Sequence, residues 1–275
     1  MSGKTGDAGK PRKPKSDWPD VNTVSYSDIL EVLAAGLDDF RKAPLFGLFF
    51  SGVYALGGWI LILLLFWFDL PFLVYPLAAG FALIAPFIAC GFYVISFHLE
   101  QETPLTWATV FSSVRGMVGR DLGWMALITG FALYIWVDIA AILYFTFMGL
   151  RKISFNELVA EVFSTQMGLI LLFVGNITGA MIAFFVFSIS VVSFPMLFHR
   201  DIDFVTAMVT SVRFVIRNPL PLAFWCFLIA FLIGVSILSG LVGLLVILPV
   251  LGHATWHLYR RAVAPAPTGG ASSAS

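Results

Sequence analysis

The sequence predicts an all-α polytopic membrane protein, with six transmembrane helices in three parallel repeats of an amphipathic interfacial helix plus a helical hairpin. Three observations carry this prediction: composition, the length of the apolar runs, and the uneven placement of cations between them. Of 275 residues, 59% are hydrophobic and 12% are charged, and mean hydropathy is +0.93. Soluble domains hold about 45–50% apolar and about 25% charged residues, so a water-soluble globule is excluded. Sixteen Lys and Arg balance sixteen Asp and Glu, which leaves no net charge to argue for a nucleic-acid partner. Cys90 and Cys226 both lie inside apolar runs, where neither a disulfide framework nor a zinc site is expected.

A membrane-spanning helix needs about 20 apolar residues, because the hydrocarbon layer is ~30 Å thick and each residue advances ~1.5 Å. Residues 45–68, 72–97, 122–148 and 167–198 meet this outright. The stretch 220–258 is nearly twice the needed length, carries no Asp, Glu, Lys or Arg, and has Ser239-Gly240 at its centre. It reads as two spans, 220–238 and 241–258, joined by a tight turn. The transmembrane domain is thus expected over 24–262. Residues 1–23 and 263–275, rich in Gly, Pro, Ser, Ala and Lys, are expected to be disordered cytoplasmic tails. No apolar signal region falls in residues 1–43, so the first span is expected to direct insertion.

Six spans put both termini on one side. Fourteen of the sixteen Lys and Arg flank the spans on that side, and only Arg151 and Lys152 lie opposite. Cationic connections stay in the cytoplasm, so both termini are expected there. Segments 27–42, 107–121 and 204–218 precede the odd spans, each with apolar residues at helical spacing. Ile29, Leu30, Leu33, Leu37 and Phe40 form the first such stripe. Each segment also ends in cations: Arg41 and Lys42, Arg115 and Arg120, Arg213 and Arg217. Beside an anionic leaflet each cation contributes about 1 kcal/mol, so these segments are expected to lie on the inner surface of the bilayer. The even spans share an ending of proline, aromatic residues and histidine. Interfacial helix plus hairpin therefore reads as a unit used three times about an axis along the membrane normal.

Two groups of residues could carry chemistry. His98, His199, His253 and His257 all sit at the cytoplasmic ends of even spans, and His253 and His257 share a helix face at i, i+4. Converging imidazoles could hold haem or a transition metal, or relay protons; equally, histidine suits an interface, as do the neighbouring Trp256 and Tyr259. Asp138 is the only Asp, Glu, Lys or Arg well inside a span, at a cost of ~2.5–3.5 kcal/mol if ionised, so it is expected to face the bundle interior. It lies about 15 Å below the outer end of its span, and Asn176 about 13 Å below the same surface. The matching depths predict that the third and fourth spans touch, with an Asp138–Asn176 hydrogen bond and Thr178 nearby. The run Gly175-Asn176-Ile177-Thr178-Gly179 would allow close backbone approach. This site is either polar glue or a proton or cation site. Phosphate loops, nucleophile elbows, Cys-x-x-Cys pairs and zinc-protease motifs are missing from the sequence, and no enzyme activity or resident cofactor is expected.

The run 249–260, Pro-Val-Leu-Gly-His-Ala-Thr-Trp-His-Leu-Tyr-Arg, resembles the closing signature of a proteobacterial family of integral membrane proteins of unknown function. Val174-Gly175-Asn176, Arg200-Asp201-Ile202-Asp203 and the stretch 206–219 extend the resemblance to roughly 24–262. It implies a multi-pass protein of the bacterial inner membrane, whose relatives are sometimes labelled cytochrome c oxidase subunits. No catalytic residue carries over. Three functions follow as expectations. The first is a non-catalytic accessory or assembly component binding other membrane proteins, such as a respiratory complex. The second is a small transporter or channel using Asp138 and Asn176, and the third is metal or haem handling by the histidines.

Overall fold

A computed structural model describes residues 19–66, 88–117, 120–149 and 155–263. Among these residues the chain is helical, with one isolated antiparallel bridge, Val21 to Val263. The helices in chain order are α1 (Tyr26–Lys42), α2 (Pro44–Phe66), α3 (Ile88–Glu100), α4 (Trp107–Met117), α5 (Arg120–Met148) and α6 (Phe155–Ser164). They continue with α7 (Gln166–Ser190), α8 (Ser193–His199), α9 (Phe204–Arg217), α10 (Pro219–Leu238) and α11 (Leu244–Ala262). Four described stretches are long and apolar enough to cross a membrane: Pro44–Leu64, Asp121–Met148, Gln166–His199 and Pro219–Leu238. They fall on the expected first, third, fourth and fifth spans. The second span lies mostly outside the described residues, with Pro76 and Pro86, and α3 holds its last part. The sixth is helical as α11, but polar and aromatic residues of its second half take it out of the apolar class. Arg151, Lys152, residues 1–18 and residues 264–275 also lie outside the described residues.

The helix ends follow from local chemistry. Ser25 and Asp28 cap α1 reciprocally, Thr165 caps α7 through the Gly168 amide at 3.0 Å, and Asp203 caps α9 through the Thr206 amide at 2.9 Å, each satisfying an otherwise orphaned N–H. Pro44 and Pro219 open α2 and α10, where a missing amide costs nothing. Gly240 and Leu241, at φ +67° and +69°, turn the chain between α10 and α11, and Trp59 Nε1 holds that turn by donating to the Gly240 carbonyl at 2.8 Å.

The buried α11 is the axis of the fold. Contacts run in opposite order along it: Arg261 with Asp28, Ala254 with Gly36, Pro249 with Gly47, Leu245 with Ser51, and the turn at Gly240 with Trp59. Helices α1 and α2 therefore line α11 from end to end. The face of α1 packed inward carries Ile29, Val32, Gly36 and Asp39, while Leu30 of the expected stripe is 56% exposed. The sequence stripe followed the largest side chains; packing instead selects the face centred on Gly36, where a Cβ would stand 2.5 Å from the Val250 carbonyl oxygen.

Two irregularities are repaired by neighbouring serines, as a low-dielectric bundle requires. Pro249 cannot donate to the Leu245 carbonyl, and Ser51 Oγ, bonded to Gly47 at 2.8 Å, lies 3.2 Å from that oxygen. The expected fourth span breaks at Val191–Val192 before resuming as α8, so Pro195 falls in the first turn of a new helix rather than in mid-helix. Ser211 of α9 spans the break, donating to Ser188 O at 2.8 Å and accepting from the Val192 amide at 3.4 Å. The termini of the described chain also meet. Val21 and Val263 are buried, and the Asn22 amide donates to Ala262 O at 2.8 Å, so the ordered domain takes in residues assigned above to tails. The helix α6 interrupts the middle unit of the expected repeat.

Candidate functional site

Where α1, α3 and α11 meet, a chain of polar side chains is buried. Asp39 Oδ2 accepts from Ser96 Oγ at 2.7 Å and from His257 Nε2 at 2.8 Å, and His253 Nδ1 lies 2.8 Å from Ser96 Oγ. Ser96 has one proton, committed to Asp39, so His253 donates through Nδ1–H and its Nε2 carries a lone pair. That Nε2 is buried with no hydrogen-bond partner among the described residues. Burial raises the Asp39 pKa, but hydrogen bonds from His257 and Ser96 and the nearby imidazoles outweigh it and hold the carboxyl below its ordinary value. The ring of Phe92 stands edge-on to His253, centroids 5.5 Å apart, and Asp39, Ser96 and His253 are all buried.

Around this knot lie further ties. Trp256 Nε1 donates to Glu100 at 3.0 Å and Arg260 to the same carboxylate at 2.7 Å. His199 Nδ1 and Tyr259 OH are 2.8 Å apart, with Arg200 Nε donating to that hydroxyl at 3.2 Å. Asn218 is a further staple. It accepts from the Val24 amide at 2.8 Å and donates to the Asn22 and Phe214 carbonyls, both at 3.0 Å.

The four histidines thus divide among three places. His253 and His257 converge on Asp39, His199 joins Tyr259, and His98 bonds Thr103 at 2.6 Å on the surface. Among the described residues no group of three or more His, Cys, Asp or Glu side chains is placed to hold a metal ion. Sequence reasoning missed Asp39 and Ser96, which lie 57 residues apart and match no ligand spacing. The one available signal was that Asp39 continues the 29–32–36 face.

The second candidate site is not assembled as expected. Helices α5 and α7 do touch, with Trp136 over Gly179, where a Cβ would lie 3.0 Å from the indole. Asp138 stands two residues beyond Trp136, about 200° around the helix, and is exposed. Asn176 is also exposed and donates to its own Leu172 carbonyl at 2.7 Å. No Asp138–Asn176 bond forms; depth was predicted and rotation was not. Thr178 is half-buried on α7. Of the interfacial cations, Arg41, Arg115 and Arg217 are exposed, Arg213 is half-buried, and Arg120 opens α5. Lys42 pairs with Asp38 at 2.6 Å.

Helical structure throughout, with four spanning-length apolar helices among the described residues, defines the class, an integral membrane protein. Residues 73–199 match the family described as predicted integral membrane protein, DUF2189, and this is the uncharacterised membrane family that the sequence resembles. The matched region holds Ser96, Asp138 and Asn176 but ends before His253 and His257. No curated protein and no solved structure matches the chain.

Proposed function

We propose that the protein is a non-catalytic accessory or assembly component of a membrane complex. It occupies a bacterial inner membrane through six spans in three parallel units, with both termini cytoplasmic. The observation that supports this is the openness of α5 and α7. In their most apolar stretches, 6% and 0% of residues are buried within the described chain, against 22% in α2 and 17% in α10. Lipid gives apolar helices no hydrophobic reason to associate, so close packing and polar contacts decide which helices pair. A pair left this open is available to other membrane proteins. By contrast, Asp39, Ser96, His253 and His257 of the knot are tied to one another across α1, α3 and α11, which suits a scaffold.

Solubilising native membranes in a mild detergent and running native gels tests this reading. The expected result is a discrete band well above the 30.2 kDa chain that collapses in harsher detergent. Migration as a lone chain under the mildest extraction would overturn it.

A further inference from the structure

On α5 the exposed residues Leu127, Phe131, Tyr134, Asp138, Ile142 and Phe145 follow in steps of three or four, the spacing of a helix–helix seam. Five of the six suit lipid and the sixth does not. Asp138 lies about 15 Å from the Met148 end and about 26 Å from the Asp121 end. Long Lys and Arg side chains near a helix end extend back to the headgroups, but an aspartate has one methylene and at this depth reaches neither end. Among the described residues no donor reaches it, and Asn176, at the matching depth, faces a different groove and is bonded to Leu172. In hydrocarbon an ionisable group of this kind finds an opposite charge or a hydrogen-bond partner.

Resting on the accessory reading above, we infer that this stripe docks a transmembrane helix of another polypeptide carrying a Lys or Arg opposite Asp138. Charge complementarity selects that occupant. A second copy packed on the same stripe through a two-fold axis would set Asp138 against Asp138, and facing carboxylates disfavour each other's ionisation.

The test places the full chain in phosphatidylcholine vesicles with a synthetic Leu/Ala transmembrane peptide bearing one Lys at the matching depth. Association is read by energy transfer against the same peptide without the Lys. The wild type is expected to bind the Lys peptide at least ten times more tightly than the control, and Asp138→Leu to bind both equally. Equal binding by the wild type, or a Lys preference that survives Asp138→Leu, overturns the inference. Oxidation of an Ile142→Cys variant in native membranes adds a check, because an Ile142→Cys homodimer crosslink would assign the stripe to a second copy and also overturn it. Native gels separate the two readings. A complex that Asp138→Leu still enters removes this site and keeps the accessory role, whereas a wild-type chain that runs alone removes the accessory role itself.

Discussion

Three glycines report two kinds of helix contact in this molecule. At Gly36 an added Cβ would meet the backbone of α11, 2.5 Å from Val250 O and 2.6 Å from Ala254 N, whereas at Gly123 of α5 and Gly175 of α7 it would meet nothing within 4 Å. The α1–α11 contact is backbone against backbone, closed by Asp39, Ser96, His253 and His257. The α5–α7 pair touches through Trp136 and Gly179 and leaves a groove lined by Ala140, Leu171 and Asn176. The difference teaches that apolarity does not decide what is packed. The most apolar spanning-length helix, α10, is less open than α5 and α7, and α11, which mixes Leu with His, Trp, Tyr and Arg, is buried along most of its length.

The largest effect is expected from Gly36→Leu. Because the obstructing atoms are backbone, no rotamer relieves the overlap and α1 must leave α11. Loss of the contact should cost about 3 kcal/mol or more, at the upper end for overpacked sites. Thermal unfolding in detergent, read by tryptophan fluorescence, checks it; a variant within 1 kcal/mol of wild type would mean the contact is looser than described.

Asp39→Ala comes next, since it strands Ser96 and His257 without their shared acceptor. Breaking a buried charged network costs about 3–5 kcal/mol, and the value here should fall near the lower figure because His257 keeps some solvent. The pH dependence has a fixed sign. A carboxyl whose folded pKa is depressed contributes stability above its unfolded value, and that contribution disappears as pH falls through the folded value. The stability gap between wild type and Asp39→Asn should therefore close as pH falls below about 4, the ordinary carboxylate range. A gap that widens as pH falls below about 4 would contradict the Asp39 assignment.

These two predictions rest on residues of different legibility. Four of the expected spans were readable because lipid imposes one gross requirement, a long apolar run, and the α10–α11 turn was readable because Ser239-Gly240 interrupts such a run. Asp39 was not, because an Asp beside Arg41 and Lys42 looks like any surface acid; its burial depends on α11 approaching the glycine three residues earlier. The break at Val191–Val192 was hidden for a similar reason, since its stability comes from Ser211 on another helix. For Asp138, counting residues addressed only position along the helix, whereas the rotation of α5 was set by where Trp136 meets Gly179.

A smaller effect should follow Tyr259→Phe. It removes the hydroxyl shared by His199 and Arg200 while leaving the buried ring in its cluster with Trp256. One such hydrogen bond contributes roughly 0.5–1.5 kcal/mol, and unfolding of the purified protein should fall in that interval.

The smallest effects belong to the open pair, and they sharpen the contrast most. Gly175→Ala fills empty space and gains helix propensity worth up to about 1 kcal/mol, so it should leave stability unchanged or raise it slightly. Asp138→Leu should change the unfolding of the isolated chain by less than about 0.5 kcal/mol, as for a surface position, because its carboxylate bonds to nothing among the described residues. If either substitution instead destabilised the purified protein by 2 kcal/mol, α5 and α7 would have to be packed against part of this same chain. The open pair would then be another closed contact, and its exposed carboxylate would need no partner from outside.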